Sequence, residues 1–307
     1  MKALVTGGAG FIGSHIVDSL INMGWDVVVV DNLATGAEQN INGKARFYRI
    51  SINDVGLRDI FLQEKPDIVF HEAAQTVVGK SVADPVFDAR VNILGSLNVM
   101  MNCLNAGVKK IIYASSCAIY GEPQYLPIDE KHPVNPISQY GASKHTVEHY
   151  LCLNHALYGL EYVVLRYANV YGPRQNNESG VVAIFSAKML AREAVKIFGD
   201  GDNTRDYVYV GDIVRANILA MAPGKTGIYN IGTGKETCDQ EVFDVTSREF
   251  ASRMPAQYSS RRPAEIKHMC LDCTRATREL GWRPEVSFDD GVARTAAHYR
   301  SRQPVLG

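Results

Sequence analysis

Three glycines, Gly7, Gly10 and Gly13, join a short apolar run to an apolar-periodic one, and this junction constrains the fold more than any other stretch. Residues 2–6 have the length of a buried strand. Phe11, Ile12, Ile16, Leu20 and Ile21 then recur at helical spacing. Gly24 stops that helix, and a second strand over 26–30, with four consecutive valines, ends at Asp31. Each glycine has a physical reason. Gly7 permits the tight turn out of the strand, Gly10 lets backbone approach a pyrophosphate, and Gly13 lets helix and strand pack closely. The helix N-terminus, opened by Phe11 and Ile12, offers unpaired N–H groups and the positive end of its dipole to that phosphate. Asp31 is placed to accept hydrogen bonds from ribose hydroxyls. A 2′-phosphate would meet a like charge there, so the pattern favours NAD over NADP. Glycines alone are a weak signal; here strand, helix, second strand and acid all accompany them.

Strand and helix signals keep alternating through the first half, as a doubly wound parallel sheet requires. Strands are expected at 46–50, 67–70, 110–114 and 162–166, and helices at 55–63, 86–106 and 136–158. Beyond Arg166 the signals shorten and loops lengthen, although 206–220 and 227–232 still read as pieces of the sheet and its cover. The expected fold is therefore α/β: a Rossmann domain of residues 1–168 plus about 205–234, and a smaller, discontinuous α/β substrate domain of about 169–204 and 235–307. A ligand should lie between them, beyond the carboxyl ends of the strands.

Composition narrows the function classes. The net charge of −1 gives no bulk attraction to nucleic acid or an anionic membrane. No apolar run approaches the ~20 residues that span a bilayer. The first strand starts directly after Met1, which leaves no room for a signal peptide, so a cytoplasmic protein with reduced cysteines is expected. Cys270 and Cys273 have C-x-x-C spacing, but no second pair completes a metal site, and none is expected.

Tyr140 and Lys144 stand four apart in the 136–158 helix, so phenol and ammonium share one face. A free tyrosine, with a pKa near ~10, is a poor base at neutral pH. A neighbouring lysine charge and the positive ring of oxidised NAD both favour the phenolate. Such a tyrosine can take a hydroxyl proton while hydride leaves the same carbon.

The three-and-three glycine spacing in Thr6-Gly7-Gly8-Ala9-Gly10-Phe11-Ile12-Gly13 resembles the extended short-chain dehydrogenase/reductase family. The resemblance runs from about residue 1 to 300, with most motifs in order. It adds Ser116, in Tyr113-Ala114-Ser115-Ser116-Cys117-Ala118-Ile119-Tyr120-Gly121, as the hydroxyl that bonds the reacting sugar oxygen and exchanges its proton with Tyr140. Sugar-nucleotide dehydratases of the family carry an Asp-Glu pair after this hydroxyl. Cys117 and Ala118 cannot serve as that acid and base, nor is there the glutamate usual in the decarboxylases. Redox at one carbon without elimination remains.

The other motifs resemble the UDP-glucose 4-epimerase branch. For the cofactor, the resemblance implies an adenosine-ribose loop at Asp31 and Asn32, an adenine contact at Ser51 and Ile52, and a loop through Ala73 and Ala74 lying against the dinucleotide. It further implies Asn92 holding cofactor and water, and Tyr167 near the nicotinamide. Two departures stand out: serine replaces an aspartate at Ser51, and Glu72 occupies a position that is usually small or apolar. For the substrate, it implies Ser81 near the sugar, Asn169 at the diphosphate, Val182 over the uracil, and Arg205 with Arg262 clamping the diphosphate. Met269 falls at the position that controls sugar size. The implied activity is a UDP-hexose 4-epimerase with tightly held NAD, acting on UDP-glucose and UDP-galactose, with the 2-acetamido pair left open. A homodimer through the 86–106 and 136–158 helices is implied too. Two alternatives stay open: a keto-sugar-nucleotide oxidoreductase of the same fold, and a non-catalytic NAD-binding sensor.

Overall fold

The computed structural model describes residues 1–177, 179–261 and 266–301. The two apolar runs form β1 (Lys2–Thr6) and β2 (Asp26–Asp31), and α1 (Phe11–Asn22) connects them. Next come β3 (Arg46–Arg49), α2 (Leu57–Glu64) and β4 (Ile68–His71). Two short helices, α3 (Val78–Ala83) and α4 (Pro85–Ala89), lead to α5 (Gly95–Ala106) and β5 (Lys110–Ser116). Helix α6 (Gln139–Tyr158) precedes β6 (Glu161–Tyr167) and β7 (Asn169–Tyr171). The remaining chain forms α7 (Val181–Leu190), β8 (Lys196–Phe198), β9 (Thr204–Arg205), β10 (Tyr207–Tyr209) and α8 (Val210–Ala220). It closes with β11 (Gly227–Ile231), β12 (Thr237–Cys238), α9 (Asp239–Glu249), β13 (Gln257–Ser259), α10 (Thr274–Leu280) and α11 (Phe288–Ser301).

Seven strands form one sheet in the order β11-β6-β5-β4-β1-β2-β3, and every pairing in it is parallel. The order reverses between β1 and β4, which places a ligand crevice at the carboxyl ends of those strands. Side chains alternate across the sheet. Leu4, Val28 and Val69 join one apolar cluster under α2, α5 and α6, while Val5, Val29 and Phe70 join another under α1 and α8. A third cluster, including Tyr171, Phe185, Ile197, Phe243 and Val292, gathers α7, α9 and α11.

Two helices differ most from the sequence reading, each for a local reason. The expected helix over 86–106 is interrupted by a π-helical turn, Arg90–Leu94. Ser96 Oγ donates to the Asn92 carbonyl at 2.5 Å, and the wider turn aims the Asn92 side chain inward. The helix expected from 136 starts at Gln139, because Ser138 caps it by accepting from the Gly141 N–H at 3.2 Å.

Candidate active site

The glycine junction is as tight as its residues allow. Gly7 has φ +71°, and a Cβ there would lie 2.7 Å from the Ala73 nitrogen. A Cβ on Gly13 would stand 2.2 Å from the Gly7 carbonyl oxygen. Gly10 is the α1 N-cap, and no side chain caps that end. Asp31 fixes the loop, accepting from the Ala9 N–H at 3.0 Å and the Leu33 N–H at 2.8 Å, one on each oxygen. A carboxylate has about four lone-pair sites, so two remain for the hydroxyls of a ribose. Asn32 is exposed beside it, its side chain bonding the Ala34 N–H. The cradle, the bare helix end and the spare acceptors fit a dinucleotide.

Across the switch point, the residues after β4 lie directly on this loop. Ala73 donates to Thr6 Oγ1 at 3.3 Å, and Ala74 follows it. His71 is locked between Thr6 Oγ1 at 2.7 Å and Ser96 Oγ at 2.8 Å. Burial, helped by the Lys144 charge, drives its pKa down to about 3, so it is a neutral hydrogen-bonding strut. Asn92 accepts from the Gln75 N–H at 2.8 Å and donates to Asp88 and Ser143, tying this loop to α4 and α6. Ile52 is buried, while the Ser51 hydroxyl accepts from the Asn53 N–H at 3.2 Å.

Tyr140, Lys144 and Ser116 meet at the carboxyl edge of the sheet, where α6 passes the end of β5. Tyr140 is half-buried, and burial pushes its phenol up to about 12, opposed by a hydrogen bond from Ser116. Lys144 is buried with its Nζ 4.6 Å from the centroid of the Tyr113 ring, and burial brings its pKa down to about 8. Ser81 anchors the arrangement rather than opening to the cleft: fully buried, it accepts from the Tyr140 N–H at 3.1 Å and donates to the Val78 carbonyl at 2.7 Å. Tyr167, at the end of β6, donates to Glu72 Oε1 at 3.1 Å and accepts from Asn217 Nδ2 at 2.8 Å.

The substrate-side residues are more dispersed. Asn169 starts β7, paired with Tyr207 of β10. Arg205 forms no ion pair among the described residues; its guanidinium donates to the Thr204 carbonyl at 2.7 Å. Asp206, the nearest acid in sequence, is spent on Thr233, Gly234 and Leu271. Val182 is 1% exposed inside the third cluster, and the partly exposed residue at that end of α7 is Val181. Met269 is 2% exposed, packed with the sheet. Arg262 lies outside the described residues.

Sequence reasoning missed the clamp behind α6. Glu148 accepts from Arg166 Nε at 3.0 Å and Nη2 at 2.6 Å, and from Ser115 Oγ at 2.5 Å. Two signals could have found it: a charged Arg166 ending an apolar strand, and Glu148 on the face of Tyr140 and Lys144 at the same four-residue interval.

These elements define a class: a Rossmann-type dinucleotide enzyme with a serine, a tyrosine and a lysine gathered at the carboxyl edge of its sheet. The model of the NAD dependent epimerase/dehydratase family matches residues 3–232, and the chain belongs to that family. It is similar to a UDP-glucose 4-epimerase of Mycolicibacterium smegmatis, 41% identical over 311 residues, covering 98% of this chain and 99% of that one. Among solved structures it resembles the UDP-glucose 4-epimerase of Thermotoga maritima with UDP-glucose (TM-score 0.96, 47% identity, 98% and 99% of the two chains). It also resembles the Thermus thermophilus enzyme in complex with NAD (TM-score 0.94, 42% identity, 99% and 100%).

Proposed function

We propose that this chain is a UDP-hexose 4-epimerase that interconverts UDP-glucose and UDP-galactose. The observation that carries the reading is the meeting of Tyr140, Lys144 and Ser116 beside the dinucleotide loop, with Cys117 and Ala118 where an elimination enzyme needs acids. NAD supplies the hydride chemistry at C4. Tyr140 takes the C4 hydroxyl proton as a phenolate. Ser116 orients that hydroxyl and bonds the phenol. Lys144 supplies a positive charge that favours the phenolate. The hydride would return to the other face of the same carbon and the proton to its oxygen, so no net redox occurs.

Arg205 and Arg262 are the residues to clamp the diphosphate, and Asn169 is a further contact for it. A firm hold on the remote nucleotide and a loose one on the sugar lets both faces present themselves. In this reading residues 1–168 with about 205–234 hold NAD, and about 169–204 with 235–307 hold the sugar nucleotide. The third apolar cluster, built on α7, α9 and α11, supports a second unit, while Met269, Leu271, Ala276, Leu280 and Trp282 pack with the sheet. We also propose a cytoplasmic homodimer. Leu94 and Met101 on the π turn and α5, with Tyr150, Leu153 and Leu157 on α6, leave exposed apolar stripes of the kind a partner covers.

The test is purified protein given UDP-galactose with no dinucleotide added. An epimerase arrives with NAD bound and turns over; a net oxidoreductase needs fresh cofactor each cycle, and a sensor makes no product. Tyr140→Phe should lower kcat by ~10²–10⁴-fold while UDP-sugar binding persists. Normal turnover by that variant would refute the assignment of the base.

A further inference from the structure

Glu72 is a charged group at this edge that the proton relay leaves unused. It follows β4 immediately, its backbone carbonyl carbon packed on Gly7 of the dinucleotide loop. Its side chain reaches Tyr167 at the end of β6, although β5 lies between those two strands. The carboxylate therefore sits over the carboxyl edge of the sheet. Tyr113 of β5, Tyr167 of β6, and Tyr140 and Lys144 of α6 all lie within its electrostatic reach. Asp88 of α4 adds negative charge at Tyr140 and Lys144, and His71 of β4 is neutral. The Tyr167 proton is committed to Glu72, because its oxygen already accepts from Asn217. Burial raises the Glu72 carboxyl to about 7, opposed by Lys144 and Tyr167. Keeping a carboxylate here costs solvation, and it opposes the ionisation of Tyr140 that the reaction needs.

We propose that Glu72 is the counter-charge of the oxidised nicotinamide, and that it holds the bound dinucleotide at a lower reduction potential than a neutral residue would. The proposal rests on the epimerase reading above. In the oxidative half-reaction the C4–H bond breaks, its hydride goes to the nicotinamide, and the hydroxyl proton goes to Tyr140. The positive charge of the ring is lost in that step. An adjacent carboxylate favours the charged ring and so favours return of the hydride. An enzyme that must hand hydride back each turn thereby avoids stalling in the reduced form.

The experiment measures the potential of the bound dinucleotide directly. Holoenzyme is titrated anaerobically against a redox indicator, with reduced dinucleotide read by its absorbance, for wild type, Glu72→Gln and Glu72→Leu. At pH 8, at one fixed external potential, both variants should show a reduced-to-oxidised ratio about tenfold above wild type, a shift of ~30 mV for a two-electron couple. Below about pH 6 the gap should close, because wild-type Glu72 gains a proton. Gln keeps an acceptor for Tyr167 and Leu does not. A shift in Leu alone would assign Glu72 to positioning Tyr167 and overturn the proposal, as would equal potentials at pH 8 or a gap independent of pH. Wild type that carries no dinucleotide, or turns over no UDP-sugar, would instead overturn the underlying reading.

Discussion

Arg166→Met tests whether the clamp behind α6 supports the catalytic residues. Arg166 and Glu148 are at most 4% exposed, and the guanidinium bonds both carboxylate oxygens and the Tyr120 hydroxyl. Removing Arg166 leaves the carboxylate buried with Ser115 and His145 for partners, a loss of about 3–5 kcal/mol. For 307 residues at ~2.1 cal/mol/K each, the unfolding entropy is about 0.64 kcal/mol/K, so the midpoint should fall by ~5–8 °C. Calorimetry reads this directly. Replacing both partners, as Glu148→Leu with Arg166→Met, should destabilise less than Arg166→Met alone, since no buried charge is then left unpaired. The deficit should also depend on pH. Burial alone would raise the Glu148 carboxyl, but the bonds from His145, Arg166 and Ser115 outweigh it and hold it below its usual value. A depressed carboxyl contributes stability above its unfolded pKa, near ~4.3, and loses it as pH falls through the folded value. The wild-type advantage should therefore shrink in acid below about pH 4. Because Glu148 lies on the face of Lys144 and Tyr140, kcat should fall with the midpoint while substrate affinity holds. A single variant melting within ~2 °C of wild type, or a double variant melting below the single, would refute the reasoning.

Ser116→Ala removes the hydrogen bond that opposes the rise of the Tyr140 phenol; kcat should drop by ~10²-fold, and the limb of its pH profile set by the base should move upward. An unmoved profile would show that Ser116 does not tune the phenol. Gly13→Ala puts a methyl 2.2 Å from the Gly7 carbonyl oxygen, a backbone contact that can be relieved only by moving the loop. Such overpacking costs ~1–3 kcal/mol, and the purified variant should carry less NAD per chain; full occupancy would mean the turn tolerates the shift.

The nucleotide half of the site was legible because it is local. Glycines, helix start and Asp31 lie within one strand-helix-strand unit, and each has a steric or electrostatic reason recoverable from spacing. Tyr140 and Lys144 were legible for the same reason, as one helix face. What the sequence hid depends on the packing of distant segments. Ser81 reads as a cleft residue until it is seen buried where α3 packs on α6, its hydroxyl used by the Tyr140 backbone. Val182 and Met269 read as ligand contacts, yet apolar periodicity cannot tell a wall of the cleft from the core beneath it; both are core. The π turn at Arg90–Leu94 has no composition signal, because it is fixed by the Ser96 and Gln75 bonds of Asn92. The Glu148–Arg166 pair joins β6 to α6 through two residues that hydropathy would send to the surface.

That contrast separates two kinds of buried charge. The Glu148 carboxyl is held down and Arg166 is raised, so each favours its ionised form, and the pair stiffens the scaffold. At the carboxyl edge of the sheet the shifts run the other way. Lys144 is lowered, while Tyr140 and Glu72 are raised, so all three are pushed toward their neutral forms. Burial is the first cause in each case, and the folded protein bears the cost. A positive ring brought to this edge favours ionised Tyr140 and Glu72 together. Reduction of that ring would withdraw the support from both acids at once, so the phenol would hold the proton it has taken; the positive ring regained as hydride returns would make the phenol a better donor at the moment the sugar oxygen must be reprotonated. The same electrostatic coupling thus serves removal and return of the proton, as a reaction that runs forward and back over a single carbon requires.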